Sequence, residues 1–109
     1  EADRARLIQV ISNLLNNAIK FSKTGTVLVN LEKKVNSKEV IVCINDDGPG
    51  IDPTILPKLF EKFATKSDKG IGLGLFISKT IIEAHNGRIW AENNPDGSGA
   101  AFSFSLPIN

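Results

Sequence analysis

The fold turns on Glu39-Val40-Ile41-Val42-Cys43-Ile44-Asn45-Asp46-Asp47-Gly48-Pro49-Gly50. Residues 39–45 alternate in the manner of a strand, which puts Asp46 on the same side as Val40, Val42 and Ile44. Gly48, Pro49 and Gly50 then break the pattern. Upstream, residues 26–34 alternate in the same way, and Asn36-Ser37 supplies a turn, so the two runs read as a hairpin. Before the hairpin, Leu7, Ile8, Ile11, Leu14, Leu15, Ala18 and Ile19 recur at helical spacing and predict a helix over residues 3–21. Downstream, a short helical piece is expected over residues 54–63, a polar loop over 64–72, and a second helix over 73–85. Asn86-Gly87 closes that helix as a left-handed cap. Strands over 88–93 and 100–106 flank a turn at 94–99, with Phe102, Phe104 and Leu106 alternating with Ser103 and Ser105. Two hairpins with helices between them predict an α/β fold, a two-layer sandwich with a mixed, mostly antiparallel sheet and helices packed on one face.

At 109 residues the chain has room for one domain, 1–109. The apolar fraction of 41% and charged fraction of 23% are those of an ordinary water-soluble domain. Thirteen basic against twelve acidic residues leave a net charge of +1, with no overall field to draw it onto nucleic acid or an anionic membrane. Any anion it binds must be held locally. One cysteine, Cys43, and one histidine, His85, exclude a protein-only zinc cluster. Cys43 lies within the apolar run 40–44 and is expected as a small buried thiol. No apolar segment approaches the roughly 20 residues needed to span a bilayer, and no signal peptide is visible. A cytoplasmic, monomeric domain is expected, whether or not its parent is membrane-anchored.

Three groups of residues can carry chemistry. On the first helix Asn13, Asn17 and Lys20 fall within about 60° of one another, opposite the apolar stripe. A solvated face would account for them, but Asn costs roughly half a kcal/mol in a helix relative to Ala, and three Asn in five positions, Asn13, Asn17 and the bordering Asn16, ask for another reason. Neutral amide oxygens suit a hard cation that already carries phosphate ligands, and Lys20 could meet a phosphate oxygen. Asp46 reads either as part of an Asp-Gly turn or as a fixed acceptor for an exocyclic amine, with glycines letting a flat base approach the backbone. Adenine presents an amine there; guanine presents a carbonyl. The third group, Lys69-Gly70-Ile71-Gly72-Leu73-Gly74-Leu75, leads into a helix and offers converging backbone N–H groups to an anion. It is not the dinucleotide fingerprint, and no Walker A sequence or Ser/Thr/Tyr kinase catalytic loop occurs in the chain.

Taken in order, these segments resemble the N, G1, F and G2 boxes of the histidine protein kinase catalytic domain, a Bergerat-fold member of the superfamily that includes gyrase, the heat-shock ATPase chaperones and the mismatch-repair ATPases. Asn13-Leu14-Leu15-Asn16-Asn17-Ala18-Ile19-Lys20-Phe21 is similar to the N box, and Asp46-Asp47-Gly48-Pro49-Gly50 to G1. Phe60-Glu61-Lys62-Phe63 is similar to the F box, and Gly70-Ile71-Gly72-Leu73-Gly74-Leu75 to G2. The resemblance implies ATP and Mg²⁺ as ligands, with Asn17 and Asn13 on the metal and Lys20 toward phosphate. It implies Asp46 on the adenine amine, with Phe21, Gly48, Gly50 and Ile51 about the base. It also brings Phe63, Ile71, Leu73 and Leu75 to the pocket and Gly70, Gly72 and Gly74 to the phosphates. Residues 64–69 match the ATP lid, where Thr65-Lys66 stands in place of an aromatic followed by Arg; Lys66 or Lys69 is the lid's candidate phosphate contact.

The related ATPases carry a glutamate base where Asn13 stands, and an amide cannot take that proton. The resemblance therefore implies transfer of the γ-phosphate to a histidine on a separate dimerisation and phosphoacceptor domain in two-component signalling, with a response-regulator receiver domain downstream. Alternatives are an anti-sigma-type serine kinase, whose own N-box glutamate is also missing here, and a nucleotide-binding regulatory module without transfer activity.

Overall fold

The computed structural model describes residues 3–22, 24–61, 74–95 and 98–108. Helix α1 spans Arg4–Phe21. Asp3 caps it, its side chain accepting from the Arg6 backbone N–H at 3.2 Å and satisfying one of the donors a helix start leaves open. Val10, Leu14 and Ala18, four apart, form its buried stripe. Helix α2 spans Gly74–Ala84 and ends in a Schellman motif. Gly87 N–H donates to the Ile82 carbonyl at 2.9 Å and Asn86 N–H to Glu83 at 3.0 Å, while Asn86 takes the left-handed φ of 64° expected of it. His85 joins the two helices. Its Nε2 accepts from the Asp3 backbone N–H at 2.9 Å, so Nδ1 carries the proton and donates to the Ile81 carbonyl at 2.8 Å.

Strands β1 (Leu28–Lys34), β2 (Glu39–Asn45), β3 (Arg88–Asn93) and β4 (Ala100–Pro107) form one sheet in the order β1-β2-β4-β3, with every neighbouring pair antiparallel. Ile44 faces Phe102, and Val42 faces Phe104. These four meet Val10, Leu14 and Ala18 of α1 and Ile81 and Ile82 of α2 in a single core, the helix layer lying on one side of the sheet. Phe60 packs edge-on against Phe102, with ring centroids 6.3 Å apart.

One strand is more exposed than its alternation alone suggests, and two local expectations change. Strand β1 has no buried residue: Val29 and Leu31 share the core face with Ile44 and Val42, yet stay 54% and 72% exposed. It is one of the sheet's two edge strands, and α1 and α2 pack over β2, β4 and β3 instead. Between residues 54 and 61 only Leu56–Lys58 is helical, a single 3-10 turn. Pro57 within it has no N–H with which to extend an α-helical ladder. Cys43 is half-buried rather than buried, because alternation turns it to the face away from the helices, opposite Asn30 and Ser103.

Candidate functional site

A cavity of about 250 Å³ opens between the C-terminal half of α1 and the segment that follows β2. Asn17, Lys20 and Phe21 form its α1 wall, and Asp46, Pro49, Gly50, Ile51 and Asp52 the opposite one. Ile55, Leu59, Ala100 and Phe102 supply an apolar floor, and Leu75 of α2 closes one side. The space suits a flat ring system more than a whole drug-sized molecule.

Asp46 is the buried acid of this site, 7% exposed. Its Oδ1 accepts from Gly48 N–H at 2.8 Å and from Ala100 N–H at 3.4 Å. Both hydrogen bonds the carboxylate receives among the described residues fall on that one oxygen. No buried side-chain oxygen or nitrogen among them lacks a partner, so Oδ2 is accessible, on a residue that lines the cavity. The arrangement is a carboxylate held by one oxygen and offering the other as acceptor.

Gly48, next to Asp46, does not line the cavity. A Cβ there would lie 2.2 Å from the Phe21 carbonyl oxygen, so glycine is what lets the end of α1 rest on the end of β2. Gly50 does line it and adopts φ 87°, a left-handed value that favours glycine. Asp52 Oδ1 accepts from the Thr54 backbone N–H at 2.9 Å and the Thr54 hydroxyl at 2.8 Å. Those two bonds hold its carboxyl below the usual range and keep it ionised at the cavity rim.

The polar stripe of α1 divides. Asn17 and Lys20 line the cavity, with the Lys20 ammonium 5.5 Å from the centroid of the Phe21 ring. Asn13 turns toward α2, its Nδ2 donating to Ser78 Oγ at 3.4 Å and approaching the Gly74 carbonyl at 3.5 Å. Gly74 opens α2, and nothing described lies within 4 Å of where its Cβ would be. Phe63, Lys66, Lys69, Gly70, Ile71, Gly72 and Leu73 lie outside the described residues.

Sequence reasoning missed Asp47, Asn93 and Asn94. Asp47, on the face opposite Asp46, accepts from Ser22 Oγ at 2.7 Å and Thr24 Oγ1 at 2.8 Å, which ties the exit of α1 to the end of β2. Asn93 and Asn94 bond to Ile51 and to the Asp46 carbonyl. Each pair spans at least 23 residues, beyond the reach of local pattern.

Residues 2–109 match the family model described as histidine kinase-, DNA gyrase B- and HSP90-like ATPase. The chain belongs to that family. Among its relatives, the sensor protein FixL of Bradyrhizobium diazoefficiens is 43% identical over 97% of this chain, and the sensor protein KdpD of Clostridium acetobutylicum is 43% identical over 96%. The matches occupy only 21% and 12% of those two proteins. In structure it resembles the mycobacterial sensor histidine kinase MprB, with a TM-score of 0.86 and 34% identity over 97% of this chain and 72% of that one. The catalytic domain of the histidine kinase ThkA gives 0.85 and 38%, over 98% and 69%. Within the family, then, its sequence and fold are those of histidine kinase catalytic domains.

Proposed function

We propose that this domain binds Mg-ATP in the cavity between α1 and segment 46–51 and transfers the γ-phosphate to a histidine on a separate dimerisation and phosphoacceptor domain of its parent. A response-regulator receiver domain would take the phosphate next, and the isolated domain would act as a cytoplasmic monomer. The observation that carries the reading is Asp46, with Oδ1 satisfied by the protein and Oδ2 accessible, on a residue that lines an apolar-floored cavity together with Asn17. A structure of full-length ShkA in complex with AMPPNP, 34% identical with a TM-score of 0.83, covers 97% of this chain and supports ATP as the nucleotide.

Mg-ATP would supply the transferable phosphoryl group and a divalent charge that screens it. The chain's own residues bind and orient. Asp46 accepts from the adenine amine, and Phe21, Gly50 and Ile51 flank the ring. Asn17 and Asn13 offer amide oxygens to the cation, Asn13 through Oδ1 because its Nδ2 is engaged with α2. Lys20 directs its charge to phosphate. Gly70, Gly72 and Gly74, with Lys66 or Lys69, would hold the remaining phosphate oxygens. With an amide at position 13 no side chain there can act as a base toward water, so positioning favours transfer over hydrolysis.

Competition between ATP and GTP tests the base assignment. Wild-type protein should prefer ATP by tenfold or more, on the order of the 1 to 3 kcal/mol that an acceptor left facing guanine's carbonyl would cost. In Asp46→Asn the side-chain amide can donate to that carbonyl, and the preference should shrink or invert. Equal affinities of the wild type for ATP and GTP would remove Asp46 from the base site.

A further inference from the structure

Asn93, the last residue of β3, makes a closed pair of hydrogen bonds with one residue of the cavity wall. The Ile51 N–H donates to Asn93 Oδ1 at 2.6 Å, and Asn93 Nδ2 donates to the Ile51 carbonyl at 2.9 Å. This is the exchange that one residue of an antiparallel ladder offers another, here supplied by a side chain. Asn94 grips the other end of the same segment. Its Nδ2 donates to Asn45 Oδ1 at 2.8 Å and the Ser98 carbonyl at 2.6 Å, and lies 3.3 Å from the Asp46 carbonyl. Between the two grips run Asp47, Gly48, Pro49 and Gly50. Gly50, at φ 87°, comes so close that a Cβ would lie 2.9 Å from Asn93 Oδ1.

Neither asparagine lines the cavity, whereas Asp46, Pro49, Gly50 and Ile51 all do. A segment that carries two glycines, Gly48 and the wall residue Gly50, has many backbone states open to it, and a ligand that must select one of them binds more weakly. We infer that Asn93, with Asn94 as its second arm, is a positioning residue for base recognition: it holds the Gly50-Ile51 wall at a fixed distance from the Asp46 carboxylate. The inference rests on the proposed nucleotide reading for what the wall is held against.

Two measurements on Asn93→Ala and Asn93→Asp test it. Asp retains the acceptor for the Ile51 N–H but sets a second carboxylate oxygen against the Ile51 carbonyl. Asn93 is an exposed side chain on an edge strand, so both variants should fold. In the ligand-free domain the Ile51 amide should exchange slowly in the wild type and at least about tenfold faster in Asn93→Ala, with the core amide of Phe104 unchanged. Calorimetry should show adenosine and ADP weakened by the same factor, on the order of tenfold in Asn93→Ala and less in Asn93→Asp. A residue that only supports the fold would speed exchange throughout and leave the affinity of the folded protein as it was. An unprotected Ile51 amide in the wild type overturns the inference. So do unchanged affinities in folded Asn93→Ala, or a loss confined to ADP. If the wild type binds neither adenosine nor ADP, the functional reading fails first and this inference with it. If the wild type binds both and the variants bind as tightly, this inference alone fails.

Discussion

Asn17→Ala is expected to weaken Mg-ATP binding by at least 10- to 100-fold while leaving the domain as stable as before or slightly more so. The first effect follows from its proposed place as a metal ligand, where even outer partners of a metal site cost about that much when removed. The second follows from the fold. Asn17 stands inside α1, its side chain makes no hydrogen bond among the described residues, and it lines the cavity. Alanine there loses no internal partner and gains roughly half a kcal/mol of helix propensity. Opposite signs in binding and stability mark a residue kept for function at the expense of the helix. Calorimetry with and without EDTA separates the metal from the base. The chelator should bring the wild type toward the affinity of the variant and change the variant little. Undiminished Mg²⁺-dependent binding in Asn17→Ala would take this residue out of the site.

Gly48→Ala should be among the most damaging single substitutions in the domain. Its Cβ would lie 2.2 Å from the Phe21 carbonyl oxygen and 2.9 Å from the carbonyl carbon. Both are backbone atoms at the end of α1 and cannot rotate aside as a side chain can. Relief requires α1 to lift from the end of β2, at a cost of about 3 kcal/mol or more. In a domain of this size each kcal/mol lowers Tm by roughly 4–8 °C. The same movement would carry Phe21 and Lys20 away from Asp46, so the protein that remains folded should also bind nucleotide poorly. Gly74→Ala is the matched control. Nothing described crowds that position at the start of α2, and its stability should hold. A thermal midpoint for Gly48→Ala within a degree or two of the wild type would mean that the α1–β2 contact is looser than described.

What could be read in advance follows the range of the interactions. The first helix, the left-handed Asn86 and the inward side of Asp46 depend on residues within a few turns or a strand, and the sequence pattern carries them. The exposure of β1 depends on where a second layer ends, which alternation within one strand cannot report. The Asp-x-Gly-x-Gly spacing from Asp46 drew attention to Gly48, but its demand for a small residue comes from the Phe21 carbonyl, 27 positions earlier. Asn93 read as the end of a strand and Asn94 as the first residue of a turn, the ordinary place for asparagine. Their bonds to Ile51 and Asp46 arise only because β4, lying between β2 and β3, brings the end of β3 within side-chain reach of the segment after β2. The stripe on α1 was legible as a group, but the separate directions of Asn13 and Asn17 depend on α2 standing against one of them.

The most direct test of the whole account is transfer of label from γ-labelled ATP. The 109-residue chain alone should take up none, because both ring nitrogens of its one histidine are engaged, with the Asp3 N–H and the Ile81 carbonyl, at the close of a capped helix. Supplied in trans with the dimerising helical hairpin of its parent, it should place an acid-labile phosphoryl group on a hairpin histidine, and Asn17→Ala should prevent this. Self-labelling of the chain that His85→Ala removes, or a hairpin that stays unlabelled beside folded domain that has bound ATP, would contradict it.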